Sequence, residues 1–197
     1  MFEIKYRLDT KANNVESITT KEFDEKGENF YAFIQLTFNG HSEGQYNNDP
    51  KLDGILGNEV ADYWFLSLLK TIENLSQSGY HAFAVLEVPN KWLEFKHISG
   101  NVIINLVNAV EKNHNNFYPI ETVDPLYLSV NFKTAYEEPK NYNINFNYFK
   151  TKILENVGTF IDDIKILNPE LLKTKTMKNI LEKFTNANKG WVIIMQL

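Results

Sequence analysis

The hydrophobic pattern changes its period once along the chain, and this change is the strongest constraint on the fold. Up to residue 146, apolar residues mostly alternate with polar ones, which is the period of a β-strand with one wet face. From residue 147 onward they recur every three or four residues, as in an amphipathic helix. Strands followed by helices predict an α+β fold, a mostly antiparallel sheet with one central helix and two C-terminal helices packed on it.

Seven segments alternate as strands do. We expect strands over residues 2–8, 30–38, 80–88, 91–97, 101–107, 126–132 and 142–146. The apolar residues of 30–38 fall on both faces, which predicts a strand that is central or covered on both sides. Asn39-Gly40 predicts a hairpin turn, Asp24 to Gly27 a turn, and residues 40–54 a long loop or an irregular hairpin. The short connections between residues 80 and 107 predict a meander.

Three helical segments have recognisable ends. Asn58 is the predicted N-cap of the central helix, with Glu59 and Asp62 in its first turn, and Gly79 ends it. The helices that follow occupy residues 147–189, with Asn147 as a cap and Asn168-Pro169 starting a further helical turn. Gly190 is predicted to break the last helix before a terminal strand at residues 191–197. We expect a single domain over residues 1–197, strand-rich over 1–146.

Composition excludes several kinds of chemistry. The chain has no cysteine, which removes disulfides, thiolate metal sites and cysteine nucleophiles. Arg7 is its sole arginine and the net charge is −5, which argues against a nucleic-acid binder. No phosphate-binding glycine loop or serine-hydrolase motif occurs.

The histidines give no metal-ligand spacing, and we expect His97 and His114 at the surface. The sequence therefore predicts a non-enzymatic protein with no cofactor and no metal. No stretch is long and apolar enough for a membrane span and residues 1–8 are unlike a signal peptide, so we expect a cytoplasmic protein.

Aromatic and acidic side chains concentrate in segments that resemble loops, as in the hot spots of protein interfaces. Residues 1–146 carry a net charge of −8 and residues 147–197 one of +3, which favours an acidic face that meets a basic partner. The residues predicted to contact a partner are Glu43, Tyr46, Asp49, Asp53, Tyr63, Tyr136, Glu137 and Glu138.

A series of short motifs over residues 54–172 resembles a known class of proteins. Gly54-Ile55-Leu56-Gly57-Asn58-Glu59 opens a helix with Trp64-Phe65 and Leu68-Leu69; Trp92-Leu93-Glu94-Phe95, Gly100 and Val102-Ile103-Ile104 follow; then come Asn145-Phe146, Phe149-Lys150, Phe160-Ile161, Ile164 and Asn168-Pro169-Glu170-Leu171. This order is similar to that of the small cytoplasmic immunity proteins of bacterial polymorphic-toxin and contact-dependent inhibition systems. The resemblance implies binding and inhibition of a cognate toxin, and it assigns no contact residue because such contacts vary within these families.

Two other functions stay open. A small-molecule or peptide-binding module, or a structural protein of a mobile element, would need a pocket lined by rings such as Phe33 and Tyr127. A hydrolase would need acids that converge in space, with Glu87 and Glu94 as the candidates.

Overall fold

The computed structural model describes residues 1–54, 59–85, 88, 90–111, 122–123, 132–136 and 141–192. The chain divides into two compact units, one formed by Met1–Leu69 with Lys150–Leu197 and the other by Lys70–Phe149. Both contain antiparallel strands, and the α+β class is confirmed, with the strands distributed over two sheets.

The sheet of the first unit is built around its second strand. Its strands are β1 (Phe2–Leu8), β2 (Tyr31–Phe38), β3 (His41–Gly44) and β4 (Glu59–Val60), and all of the other three pair with β2. The strand β2 is central in its sheet, and Phe33 is buried like the residues on the opposite face, as predicted. Asn39 and Gly40 both adopt positive φ and join β2 to β3 in the predicted hairpin.

Four α-helices occur among the residues that the structure describes. They are α1 (Thr20–Lys26), α2 (Ala61–Gln77), α3 (Phe146–Leu167) and α4 (Lys175–Val192), with 3₁₀ turns at Ala12–Asn14, Pro50–Leu52 and Pro169–Lys173. Gly79, with a φ of 74°, follows the end of α2 as expected. None of these helices has the length and apolar character needed to cross a membrane.

Several predicted boundaries are wrong. The segment 24–27 is the end of α1, which starts with a capping box between Thr19 and Glu22. Asn145, instead of Asn147, accepts a hydrogen bond from the backbone of Tyr148 at the start of α3. Glu59 belongs to β4, and Asn58 lies outside the described residues.

The C-terminal helix also extends further than predicted. It continues through Gly190 to Val192, where a break and a strand were expected. The rest of that predicted strand, residues 193–197, lies outside the described part of the chain.

Aromatic rings form the core of the first unit. Phe65 and Phe160 pack with their ring centroids 4.8 Å apart, and Phe30 meets Phe160 edge-on at 5.7 Å. Tyr6 packs edge-on against Phe65, and its hydroxyl donates a 2.6 Å hydrogen bond to Asp163. Burial and this hydrogen bond raise the pKa of Tyr6, so the ring stays neutral.

The sheet of the second unit is antiparallel and has six strands among the residues that the structure describes. The strands are β5 (Tyr80–Ala84), β6 (Lys91–Ile98), β7 (Asn101–Glu111), β8 (Thr122–Val123), β9 (Phe132–Tyr136) and β10 (Tyr142–Asn145), in the order β10-β7-β6-β5-β8 with β9 also on β7. The predicted meander of β5, β6 and β7 is confirmed. Of the strand predicted at 126–132, residues 126–131 lie outside the described residues.

The side chain of Asn168, directly after α3, forms hydrogen bonds with the segment between β1 and α1. Its side-chain amide donates to the carbonyl oxygens of Val15, at 3.0 Å, and Ile18, at 2.9 Å. Both hydrogens of one amide group are therefore used on the backbone of a distant segment of the first unit.

We predict that Asn168→Ala lowers the free energy of unfolding by about 2 kcal/mol, because two hydrogen bonds to backbone carbonyls are lost. Asn168→Asp should cost at least as much, since a carboxylate cannot donate to those carbonyls. Asn156→Ala, which removes a bond within α3 alone, is the control. Denaturant unfolding measures all three, and wild-type stability in the aspartate variant would contradict the assignment.

Candidate partner-binding loop

The segment that follows β3 and includes the 3₁₀ turn Pro50–Leu52 contains three of the predicted contact residues, Tyr46, Asp49 and Asp53. We call residues 45–53 the Tyr46 loop. It starts after Gly44, whose φ is 78° and where a Cβ atom would overlap the carbonyl oxygen of Ile34. Only glycine fits this position, so the backbone enters the loop along a fixed path.

Arg7 on β1 holds the backbone of the Tyr46 loop. Its Nε donates to the carbonyl oxygen of Asn47 at 3.0 Å, and one terminal nitrogen donates to that of Asp49 at 3.1 Å. The other terminal nitrogen forms an ion pair with Asp53 at 2.5 Å. The guanidinium also lies 4.7 Å from the centroid of the Phe33 ring. One planar fork therefore fixes three positions of the loop at once.

Asp9, directly after β1, anchors the far end of the loop. Its Oδ2 accepts from the backbone N–H of Gly54 at 2.7 Å, while its Oδ1 accepts from those of Lys11 and Ala12. The carboxylate is 1% exposed, so these three donors replace its water. The sequence analysis missed Asp9, although an aspartate between a strand and an asparagine-rich turn is a typical signal for backbone capping.

Side chains within the loop hold its turns. The Asn47 side chain accepts from the backbone of Asp49 at 2.8 Å, and the Asp49 side chain accepts from that of Lys51 at 3.0 Å. Pro50 then occupies the first position of the 3₁₀ turn. The loop is thus ordered by its own residues as well as by Arg7 and Asp9.

The predicted contact residues of the first unit fall into different environments. Tyr46, which is 37% exposed, and Asp49 present their side chains to solvent, and Tyr63 on α2 is half-buried. Glu43 is only 6% exposed, and its carboxylate lies 2.6 Å from His41 Nε2. The carboxylate of Asp53 is also shielded, by Arg7. Glu43 and Asp53 are therefore internal partners instead of the exposed groups we expected.

The remaining predicted contact residues belong to the other unit. Tyr136 is the last residue of β9 and pairs with Val107. Glu137 and Glu138 lie outside the described residues.

Glu94, a candidate acid for hydrolysis, is surrounded by side-chain donors. Tyr80 donates to it at 3.2 Å, Asn105 at 3.4 Å, and Lys96 forms an ion pair at 2.9 Å. It is 6% exposed. The other candidate, Glu87, lies outside the described residues.

In the part of the chain that the structure describes, no three histidine or acidic side chains are placed to hold a metal ion. The prediction of a surface position for His97 is wrong: the ring is half-buried, stacks on Phe146 at 4.4 Å and donates to the carbonyl oxygen of Leu75. The corresponding prediction for His114 lies outside the described residues.

Comparisons of the chain with protein-family models, with curated proteins and with solved structures found no match.

Burial shifts the pKa values of two groups, Asp62 and His81, in opposite directions. Asp62, whose carboxylate accepts from the backbone of Phe30 at 2.9 Å, has its pKa raised to about 6 by burial. His81, with Nδ1 2.9 Å from the Asn74 amide, has its pKa lowered to about 4 by burial, with a smaller effect of the Lys70 charge. Each shift corresponds to a free-energy difference on the order of 3 kcal/mol between the two protonation states of the group.

We predict that these two effects largely offset each other in the wild type. Between pH 4 and 6 the folded protein retains the Asp62 proton that the unfolded chain loses, so this group's contribution to stability falls as pH rises. Over pH 4 to 6.5 the unfolded chain binds a proton on His81 that the folded protein excludes, so that contribution rises with pH.

Single variants separate the two contributions. Relative to wild type, the stability of Asp62→Asn should increase as pH rises from 4 to 6, and that of His81→Gln should decrease as pH rises from 4 to 6.5. Urea unfolding at a series of pH values measures both differences. Two flat difference curves would contradict the assignment.

We predict that Arg7→Lys loosens the Tyr46 loop, because one ammonium cannot reproduce a fork that binds two carbonyls and a carboxylate. Hydrogen exchange at residues 45–53 should accelerate by about tenfold, and the free energy of unfolding should fall by about 2 kcal/mol. Lys5→Gln, on the exposed side of the same strand, is the control. Unchanged exchange in Arg7→Lys would show that the fork does not hold the loop.

Proposed function

We propose that this protein is an immunity protein that acts in the cytoplasm. It binds a cognate bacterial toxin domain, for example a nuclease, and neutralises it through a surface interface without catalysis. The observation that carries the proposal is the Tyr46 loop, whose ends are fixed by Arg7 and Asp9 while Tyr46 itself remains exposed.

A fixed loop with an exposed aromatic side chain suits tight binding. A surface that is ordered before binding loses little conformational entropy when the partner docks. Tyrosine adds a large contact area with only two rotatable side-chain bonds, and it is frequent among the residues that dominate interface energies.

The use of the buried acids supports binding over hydrolysis. Glu94 accepts from Tyr80 and Asn105 and pairs with Lys96, and Glu59 accepts from the indole N–H of Trp64 at 2.9 Å. These carboxylates have side-chain partners within the fold, as structural acids do. The resemblance over residues 54–172 supports the same class of function.

A second candidate function is a small-molecule or peptide-binding module. A groove of about 260 Å³ between α3 and α4 favours it; its lining residues are Thr151, Leu154, Glu155, Phe184 and Asn188. Of the rings predicted to line a pocket, Phe33 is buried beneath Arg7, and Tyr127 lies outside the described residues. Ligand retained through purification, together with its loss in Phe184→Ala, would favour this function.

The direct test uses a cognate toxin domain, which is to be sought among the genes next to the one that encodes this protein. We predict that equimolar wild-type protein abolishes the toxin's activity and that Tyr46→Ala binds at least about 30-fold more weakly, as expected for a hot spot of about 2 kcal/mol. Tyr148→Ala is a matched control, because Tyr148 has a similar exposure, 40% against 37%, and belongs to the other unit.

Calorimetry measures the affinities and a toxin assay measures neutralisation. Full toxin activity at equimolar wild-type protein would contradict the function. Equal affinities of the two tyrosine variants would exclude the Tyr46 loop from the interface.

A further inference from the structure

Three acidic residues in and beside the Tyr46 loop are shielded from solvent and have partners within the fold. Asp53 forms its ion pair with Arg7, and Glu43 lies against His41. Asp9 is buried and accepts hydrogen bonds from three backbone N–H groups. These three carboxylates are therefore not exposed for contact with a partner at the loop.

The charges that the loop exposes nearly cancel. Asp49 and Lys51 are both exposed, they have opposite charge, and they are two residues apart. The other exposed residues of the loop and of β3 before it include Ser42, Tyr46 and Asn48, all uncharged. This surface offers a ring, a carboxylate beside an ammonium, and hydroxyl and amide groups that donate and accept hydrogen bonds.

We infer that the Tyr46 loop docks on an electrically neutral patch of a protein partner, through the Tyr46 ring and uncharged hydrogen bonds, instead of on a basic cleft. This inference rests on the proposed function and specifies the partner of the same surface. A neutral patch complements a loop of near-zero charge, whereas a basic cleft would lose its solvation without gaining an opposite charge at this point.

The kinetics of binding distinguish the two kinds of partner surface. Charge complementarity at a contact accelerates association and makes it sensitive to salt, whereas packing and hydrogen bonding mainly set the dissociation rate. The Tyr46 loop should therefore influence dissociation through Tyr46, and the removal of one loop charge should change association little.

The test measures association and dissociation rates at low and high NaCl, with the toxin domain identified in the test of the proposed function as the probe. We expect Asp49→Asn and Lys51→Gln each to change the association rate by less than about threefold at low salt. Tyr46→Ala should leave association unchanged within the same range and accelerate dissociation by about tenfold or more. Tyr148→Ala serves again as the control.

A drop of more than about tenfold in association for Asp49→Asn at low salt, abolished at high salt, would overturn the neutral patch while leaving the proposed function in place. If the wild-type protein neutralises the toxin and neither charge variant nor Tyr46→Ala alters either rate, the inference also fails. Absence of any binding by the wild type would instead contradict the proposed function.

Discussion

The interaction between Arg7 and the Tyr46 loop is the constraint on which the candidate surface depends. A single guanidinium donates to two backbone carbonyls and one carboxylate of the loop, and it covers the Phe33 ring. Lysine has neither the planar fork nor the number of directed donors. The chain's one arginine therefore orders a segment that would otherwise lack regular partners, and it leaves that segment's aromatic side chain exposed.

The acids of the described residues serve mainly as acceptors within the fold. Asp9 fixes a loop end, Glu59 accepts from Trp64, Asp62 accepts from the backbone of Phe30, and Glu94 is surrounded by donors. A buried carboxylate that has such donors stabilises local geometry and is not itself exposed to a partner. Net charge read from the sequence is therefore a poor guide to the acids that a partner can contact at the Tyr46 loop.

Much of the fold follows from local patterns in the sequence. The alternation of apolar and polar residues predicted β1, β2 and the meander of β5 to β7, and the Asn39-Gly40 pair predicted the first hairpin. Both signals lie within a few residues of the element that they predict. Helix α1 was missed even though Thr19 and Glu22 have the spacing of a capping box. The division of the strands into two sheets depends on pairing between strands that are far apart in the sequence, which the period of the hydrophobic pattern does not indicate.

The candidate site was predictable only in part. Turn residues and aromatics indicated the segment of Tyr46 and Asp49, but nothing local to Asp53 reveals its ion pair with Arg7, and the burial of Glu43 beside His41 depends on how β3 packs. Arg7 lies 46 residues from Asp53, and its role becomes visible only when β1 and the loop are placed together. Burial and long-range pairing thus decide which polar residues remain available to a partner.

The central claim is that a surface formed before binding makes the contact. Amide hydrogen exchange of the wild-type protein, alone and saturated with the toxin domain that it neutralises, tests it most directly. The account predicts that residues 45–53 are already protected in the free protein and gain further protection on binding. Exchange of the free loop at the rate of an unstructured chain, or no added protection there in the complex, would contradict it.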